Sequence, residues 1–239
     1  MSGFLRKILI RIKCLLGCFK KSMYPELEYQ PTVFLGLKSY PRAVPQQHVA
    51  FIYENNFNTL SICHLTGDFS LENTLFIDTE KFLVKPLVFK DDSNDYMLSN
   101  YLEIVHDDGV TLVPYGIINS GNCFCPNTGK FLGLVLGEGL TCATFVLTIL
   151  ETLNLHMLDK NSWTQRQADM EWQMSVVGYI FSRDQLRAMT MKNSIGKATR
   201  FRPEEVFAAA CVMGEPRWKV TMQDVEGYID QIFADLECA

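Results

Sequence analysis

Several absences narrow what this sequence can encode. No stretch of about 18 apolar residues is free of charge, so no segment is expected to span a bilayer as a helix. Position 2 is Ser2 rather than glycine, which excludes N-myristoylation of this chain. Internal repeats and low-complexity tracts are also missing, which argues against a repeat array.

Positive charge is scarce over most of the chain. The net charge is −5, so we expect no nucleic-acid partner. Residues 1–21 nevertheless contain six basic and no acidic side chains. The remaining 218 residues then carry 16 basic and 27 acidic side chains. A basic segment joined to an acidic body indicates a surface-binding tail.

The cysteines follow no regular framework. There are eight in a chain that is not short, which favours reduced thiols in a cytoplasmic protein over a disulfide scaffold. Cys123 and Cys125 form a C-x-C pair, but no second Cys or His pair lies at a matching spacing. The pair is therefore interpreted as loop cysteines, with a lid near a site as the alternative, and no metal or cofactor is predicted.

Residues 1–21 alternate bulky apolar residues with cations. As a helix they would group Leu5, Ile8 and Ile12 on one face and lie in a membrane interface rather than cross it. Cys14 and Cys18, beside the cations, are candidate lipidation sites. Two alternatives stay open: a helix that packs on the body, and a cleaved leader whose apolar core Arg11 and Lys13 would interrupt.

The rest of the sequence favours an α+β domain with a helical C-terminal extension. Four prolines predict an irregular segment over residues 22–46. Residues 48–53 and 59–64 are typical of two strands joined as a hairpin. Further expected elements are strands over 83–89 and 110–115 and helices over 96–105, 142–153, 202–213 and 221–236.

The order His, His, Cys is the most informative chemical pattern. Cys142 begins a helix, where the helix dipole and unpaired amides favour a thiolate and can face an oxyanion. His48 opens the first hairpin strand, from which an imidazole can take the thiol proton. His64 closes the second strand and is expected beside His48, where it can fix the tautomer of that ring, and Asp68 is the substitute.

These segments also resemble a known group of enzymes. His48-Val-Ala-Phe-Ile-Tyr53 and Ile62-Cys-His-Leu65 are similar to the His-containing hairpin of the lecithin:retinol acyltransferase and phospholipid acyltransferase group. Thr141-Cys-Ala-Thr-Phe-Val146 is similar to that group's Asn-Cys-x-x-Phe-Val segment, with Thr141 in place of the asparagine. Such proteins are permuted relatives of NlpC-type, papain-like hydrolases.

The resemblance implies a permuted papain-like domain over residues 22–155, with residues 156–239 packed on it. It also implies Cys142 as nucleophile, His48 as base and His64 as the orienting group. The expected activity is a cysteine-dependent hydrolase or acyltransferase that acts on an amide, ester or thioester through an acyl-enzyme. The expected substrate is an acyl-containing lipid, protein or peptide. The alternatives are a peptidase or isopeptidase of the same fold, and a catalytically silent interaction module.

Overall fold

A computed structural model describes most of the chain after residue 30. The described ranges are 31–40, 46–66, 70–77, 81–89, 91–105, 112–119, 121–212 and 219–238. Residues 1–21, with Cys14 and Cys18, lie outside them, as does Asp68. The predictions made for these positions are therefore outside the described residues.

A five-stranded antiparallel sheet forms the centre of the described structure, in the order β4-β3-β2-β1-β5. The strands are β1 (Val33–Tyr40), β2 (Gln46–Glu54), β3 (Leu60–Leu65), β4 (Leu71–Leu75) and β5 (Leu83–Pro86). The predicted hairpin is confirmed as β2 and β3, in which Phe51 pairs with Cys63. Residues 22–46 were wrongly predicted as wholly irregular, because Pro31 and Pro41 flank β1 rather than interrupt it.

Six α-helices accompany the sheet in the part of the chain that the structure describes. They are α1 (Asp92–Ile104), α2 (Cys142–Thr152), α3 (Gln167–Phe181), α4 (Gln185–Lys192), α5 (Pro203–Val212) and α6 (Met222–Cys238). The α+β class is thus confirmed. The strand expected over 110–115 is wrong, since its described residues make only isolated bridges at Leu112 and Tyr115.

The two faces of the sheet are covered differently. Val49, Phe51 and Cys63 face the main core, which also contains the inward residues of α2, α5 and α6. Ala50 and Ile52 point to the other face and pack in a small separate cluster. This alternation follows from the two-residue period of a strand. Because α2 and α5 both pack on β2, residues of the C-terminal helices come close to the proposed nucleophile.

None of the helices in the described ranges is long and apolar enough to cross a membrane.

Candidate functional site

Cys142 is the first residue of α2, as predicted. Thr141 is the N-cap: its hydroxyl accepts from the Thr144 amide at 3.1 Å, and its own amide donates to Thr144 Oγ1 at 2.7 Å. This reciprocal capping box satisfies two amides that the first turn leaves unpaired. The asparagine of the resembled segment is thus replaced by another good N-cap residue.

The segment that leads into Cys142 is held by a close backbone approach. Gly139 lies against Gly116, and a Cβ added at Gly139 would stand 2.4 Å from the Gly116 nitrogen. The Leu140 amide donates to the Pro114 carbonyl at 2.8 Å. Only glycine allows two backbones to come this near, so these glycines fix where α2 begins.

Burial controls the charge of the thiol. Cys142 is 8% exposed, and loss of water raises its pKa to about 11, although the Val49 and Ala143 amides donate to the sulfur and act in the opposite direction. The expectation that the helix N-terminus would lower this pKa is not met here, because desolvation outweighs the helix start. The thiol therefore carries its proton at neutral pH.

His48 and His64 lie side by side, as the hairpin predicted. His48 Nε2 and His64 Nδ1 are 2.7 Å apart, and the ring centroids are separated by 4.9 Å. On its far side, His64 Nε2 lies 3.6 Å from Oε2 of Glu72 in β4. Burial, with the charges of His64 and Lys38, lowers the pKa of His48 to about 3. His48 is therefore neutral at physiological pH.

One arrangement of protons suits this row of groups. Between two neutral imidazoles at 2.7 Å, one nitrogen must donate and the other must accept. If His48 donates from Nε2, its Nδ1 is left as an acceptor, and His64 carries its own proton on Nε2, facing the Glu72 carboxylate. The row Glu72–His64–His48 then holds His48 in the tautomer that a base requires.

Cys142 and His48 line the same cavity without bonding to each other. Within the described residues, no hydrogen bond joins the thiol to the His48 ring. Strand alternation explains the separation, because Val49 faces α2 whereas its neighbour His48 belongs to the opposite face of β2. Transfer of a proton between the two therefore stays a prediction.

The cavity has a volume of about 910 Å³, and most of its lining residues come from the part of the chain after position 155. Aromatic residues contribute much of the lining, and they are Tyr40, Tyr115, Trp172, Tyr179, Phe201 and Phe233. The charged lining residues are Glu171, Arg200, Arg202 and Glu204. None of the residues beyond position 155 was expected at the site, because helical periodicity marks a buried face without saying what it covers.

A buried ion network supports this wall. Asp169 in α3, 2% exposed, accepts from Arg166 at 2.8 Å, from Arg202 at 2.8 Å and from Arg200 at 3.3 Å. Burial alone would raise the pKa of Asp169, but the hydrogen bonds from Arg166 and Arg202 hold it below its usual range. Asp169 thereby fixes the two arginines that face the cavity.

Over the described ranges, no group of three or more His, Cys, Asp or Glu side chains is arranged to hold a metal ion. Five of the cysteines within those ranges are free, and they are Cys63, Cys123, Cys125, Cys142 and Cys211. Comparisons with known proteins found no match to a family model, to a curated protein or to a solved structure. The papain-like resemblance therefore stays a prediction.

Proposed function

We propose that this chain is a cysteine-dependent hydrolase or acyltransferase that cleaves an amide, ester or thioester through an acyl group on Cys142. The supporting observation is the cavity that is lined both by Cys142, at a capped helix start, and by His48, whose ring bonds to His64. Its aromatic lining suits an acyl chain or an apolar peptide side chain. A permuted papain-like fold is part of this proposal.

The thiol and the imidazole act from their neutral forms in this mechanism. The pKa of Cys142 is raised and that of His48 is lowered, so a stable thiolate–imidazolium pair is disfavoured before substrate binds. His48 Nδ1 instead takes the proton as sulfur attacks the carbonyl carbon. The Ala143 amide, which donates to the sulfur of the resting thiol, stabilises the developing oxyanion in this mechanism.

The test is acylation by p-nitrophenyl acetate, followed by intact mass after acid quench. The wild-type chain should release p-nitrophenol and carry one acetyl group on Cys142. Cys142→Ala should lose this acetyl group and the p-nitrophenol released with it, and His48→Gln should acylate Cys142 about 10²-fold to 10⁴-fold more slowly. Cys125→Ala, which removes a cysteine outside the cavity lining, should behave as the wild-type chain does.

A non-catalytic binding module is the second candidate function. The observations that favour it are the protonated thiol and the missing hydrogen bond between Cys142 and His48. The same measurement separates the two functions. Equal p-nitrophenol release by the wild-type chain and Cys142→Ala, with no acetyl group on Cys142, would exclude the cysteine-dependent enzyme. The binding module would then be the remaining candidate.

A further inference from the structure

Glu204 is a buried carboxyl that faces the cavity. It occupies the first turn of α5, is 8% exposed and lines the cavity together with Cys142 and His48. Among the described residues, no other side chain donates a hydrogen bond to it; its own backbone amide does. A buried carboxyl without a side-chain partner is costly and is kept most readily where a ligand supplies the partner.

The neighbouring residue shows what a structural carboxyl looks like in the same turn. Glu205 accepts from Trp163 Nε1 at 3.2 Å and from the Arg202 amide at 3.0 Å, and it forms an ion pair with Arg166. Glu204 has none of these contacts and faces the cavity instead. The first turn of α5 therefore pairs one carboxyl that holds the fold with one that is open to a ligand.

We propose that Glu204 is a further catalytic residue, the base that activates the acyl acceptor during release of the acyl group from Cys142. This inference rests on the proposed function. His48 lines the cavity from β2 and Glu204 lines it from α5, where its charge acts on the Cys142 thiol. An acceptor within the cavity can therefore lie between the thioester and the Glu204 carboxylate.

The step balances with water as the acceptor. The Glu204 carboxylate takes one proton from water as the water oxygen bonds to the thioester carbon. The carbon–sulfur bond then breaks, and the sulfur leaves with the electron pair and receives that proton from Glu204. The products are a free acid, the Cys142 thiol and the Glu204 carboxylate, so no other reactant is needed. An alcohol or amine in place of water gives transfer instead of hydrolysis.

The electrostatics of the cavity agree with this assignment. Burial raises the pKa of Glu204 above its ordinary value of 4.5, and the charge of Glu205 adds to this effect. The opposing charges of Arg200 and Arg202 limit the rise. Since the pKa of His48 is about 3, Glu204 holds a proton more readily than His48 does. The other ionisable groups that line the cavity are Cys142, Glu171 and the phenols of Tyr40, Tyr115 and Tyr179.

The experiment compares Glu204→Gln with Glu226→Gln, an exposed carboxyl of α6 outside the cavity lining, using p-nitrophenyl acetate. Glu204→Gln should keep the rate of the first turnover but slow deacylation about 10²-fold or more, so that acetyl-Cys142 accumulates. The steady-state rate of the wild-type chain should decrease toward acid pH, because the carboxylate becomes protonated. The rate of Glu204→Gln should not show this decrease. Glu226→Gln should match the wild-type chain in the first turnover, in deacylation and in pH dependence.

Each other outcome has a defined meaning. Unchanged deacylation in Glu204→Gln would overturn the proposed role of Glu204, and so would an equal loss of the first turnover and of deacylation. Neither result would affect the proposal that Cys142 forms the acyl-enzyme. Absence of acetyl-Cys142 in the wild-type chain would overturn the proposed function itself. Should Glu204→Gln fail to fold, Glu204→Asp, which keeps the carboxyl but withdraws it by one methylene, should show the same accumulation.

Discussion

Acidification should destabilise this protein through His48. The ring is 7% exposed, and burial with the nearby His64 and Lys38 lowers its pKa from 6.5 to about 3. Between these two values the unfolded chain binds a proton at His48 that the folded chain does not. The free energy of unfolding therefore decreases as the pH falls through this window and is fully retained above pH 6.5.

The magnitude follows from the shift. One unit of pKa corresponds to about 1.4 kcal/mol, so between pH 7 and pH 4 the contribution of His48 should fall by about 3 kcal/mol. A domain of this kind is stable by about 5–15 kcal/mol, so the loss is large enough to measure. Below pH 3 the loss is complete, because both states then carry the proton.

The assay is urea unfolding at pH 7 and at pH 4, followed by tryptophan fluorescence. His48→Gln keeps an amide that can bond to His64, and His156→Gln removes an exposed histidine as the matched control. The wild-type chain and His156→Gln should lose the same amount of stability on acidification, and His48→Gln about 3 kcal/mol less. Carboxyl groups that titrate in this window cancel in the comparison. An equal loss in His48→Gln would refute the reasoning.

Three further outcomes are expected. In the same urea assay, Asp169→Asn should lower the free energy of unfolding by about 3–5 kcal/mol, because three guanidinium groups lose their buried anion. Asp184→Asn, at an exposed position, should change this free energy by about 1 kcal/mol or less. Iodoacetamide at neutral pH should alkylate Cys125 before Cys142 in peptide mapping, since hydrogen bonds lower the pKa of Cys125 and burial raises that of Cys142; the reverse order would contradict this. Deleting residues 1–21 should abolish sedimentation with anionic vesicles at low salt and spare p-nitrophenyl acetate turnover, and unchanged sedimentation would refute the surface-binding tail.

The sequence predicted the elements that have a strong local signal. The hairpin of β2 and β3 could be found from its apolar strands and turn residues, and α2 from its helical stripe after Thr141. Strand β1 was missed because prolines at its two ends outweighed the short apolar run between them. Strand β4 was missed because its residues are mostly polar and exposed, as befits an edge strand.

The site was predictable only where chain order determines proximity. His48 and His64 meet because a hairpin brings its two ends together, and the register follows from the turn. Glu72 joins them from β4, whose existence was not predicted. Glu204, more than 60 residues after Cys142, reaches the cavity only because α5 packs on β2 and α2, and a single sequence has no pattern that encodes such a long-range packing.

Burial raises the pKa of Cys142 and lowers that of His48, and this difference limits the mechanisms that the proposed pair could use. The Cys142 thiol has a pKa of about 11 and lines the same cavity as an imidazole with a pKa of about 3, so the thiol keeps its proton at neutral pH. In the proposed mechanism, attack therefore requires that bond formation and proton transfer occur together, after the acyl group has displaced water. The same imidazolium, formed with difficulty, readily gives its proton to the leaving group. After that transfer, neutral His48 is a weak base for deacylation. A carboxylate such as Glu204 binds the acceptor's proton more strongly in that step. One buried cavity can thus divide acylation and deacylation between two bases that come from different elements of the fold.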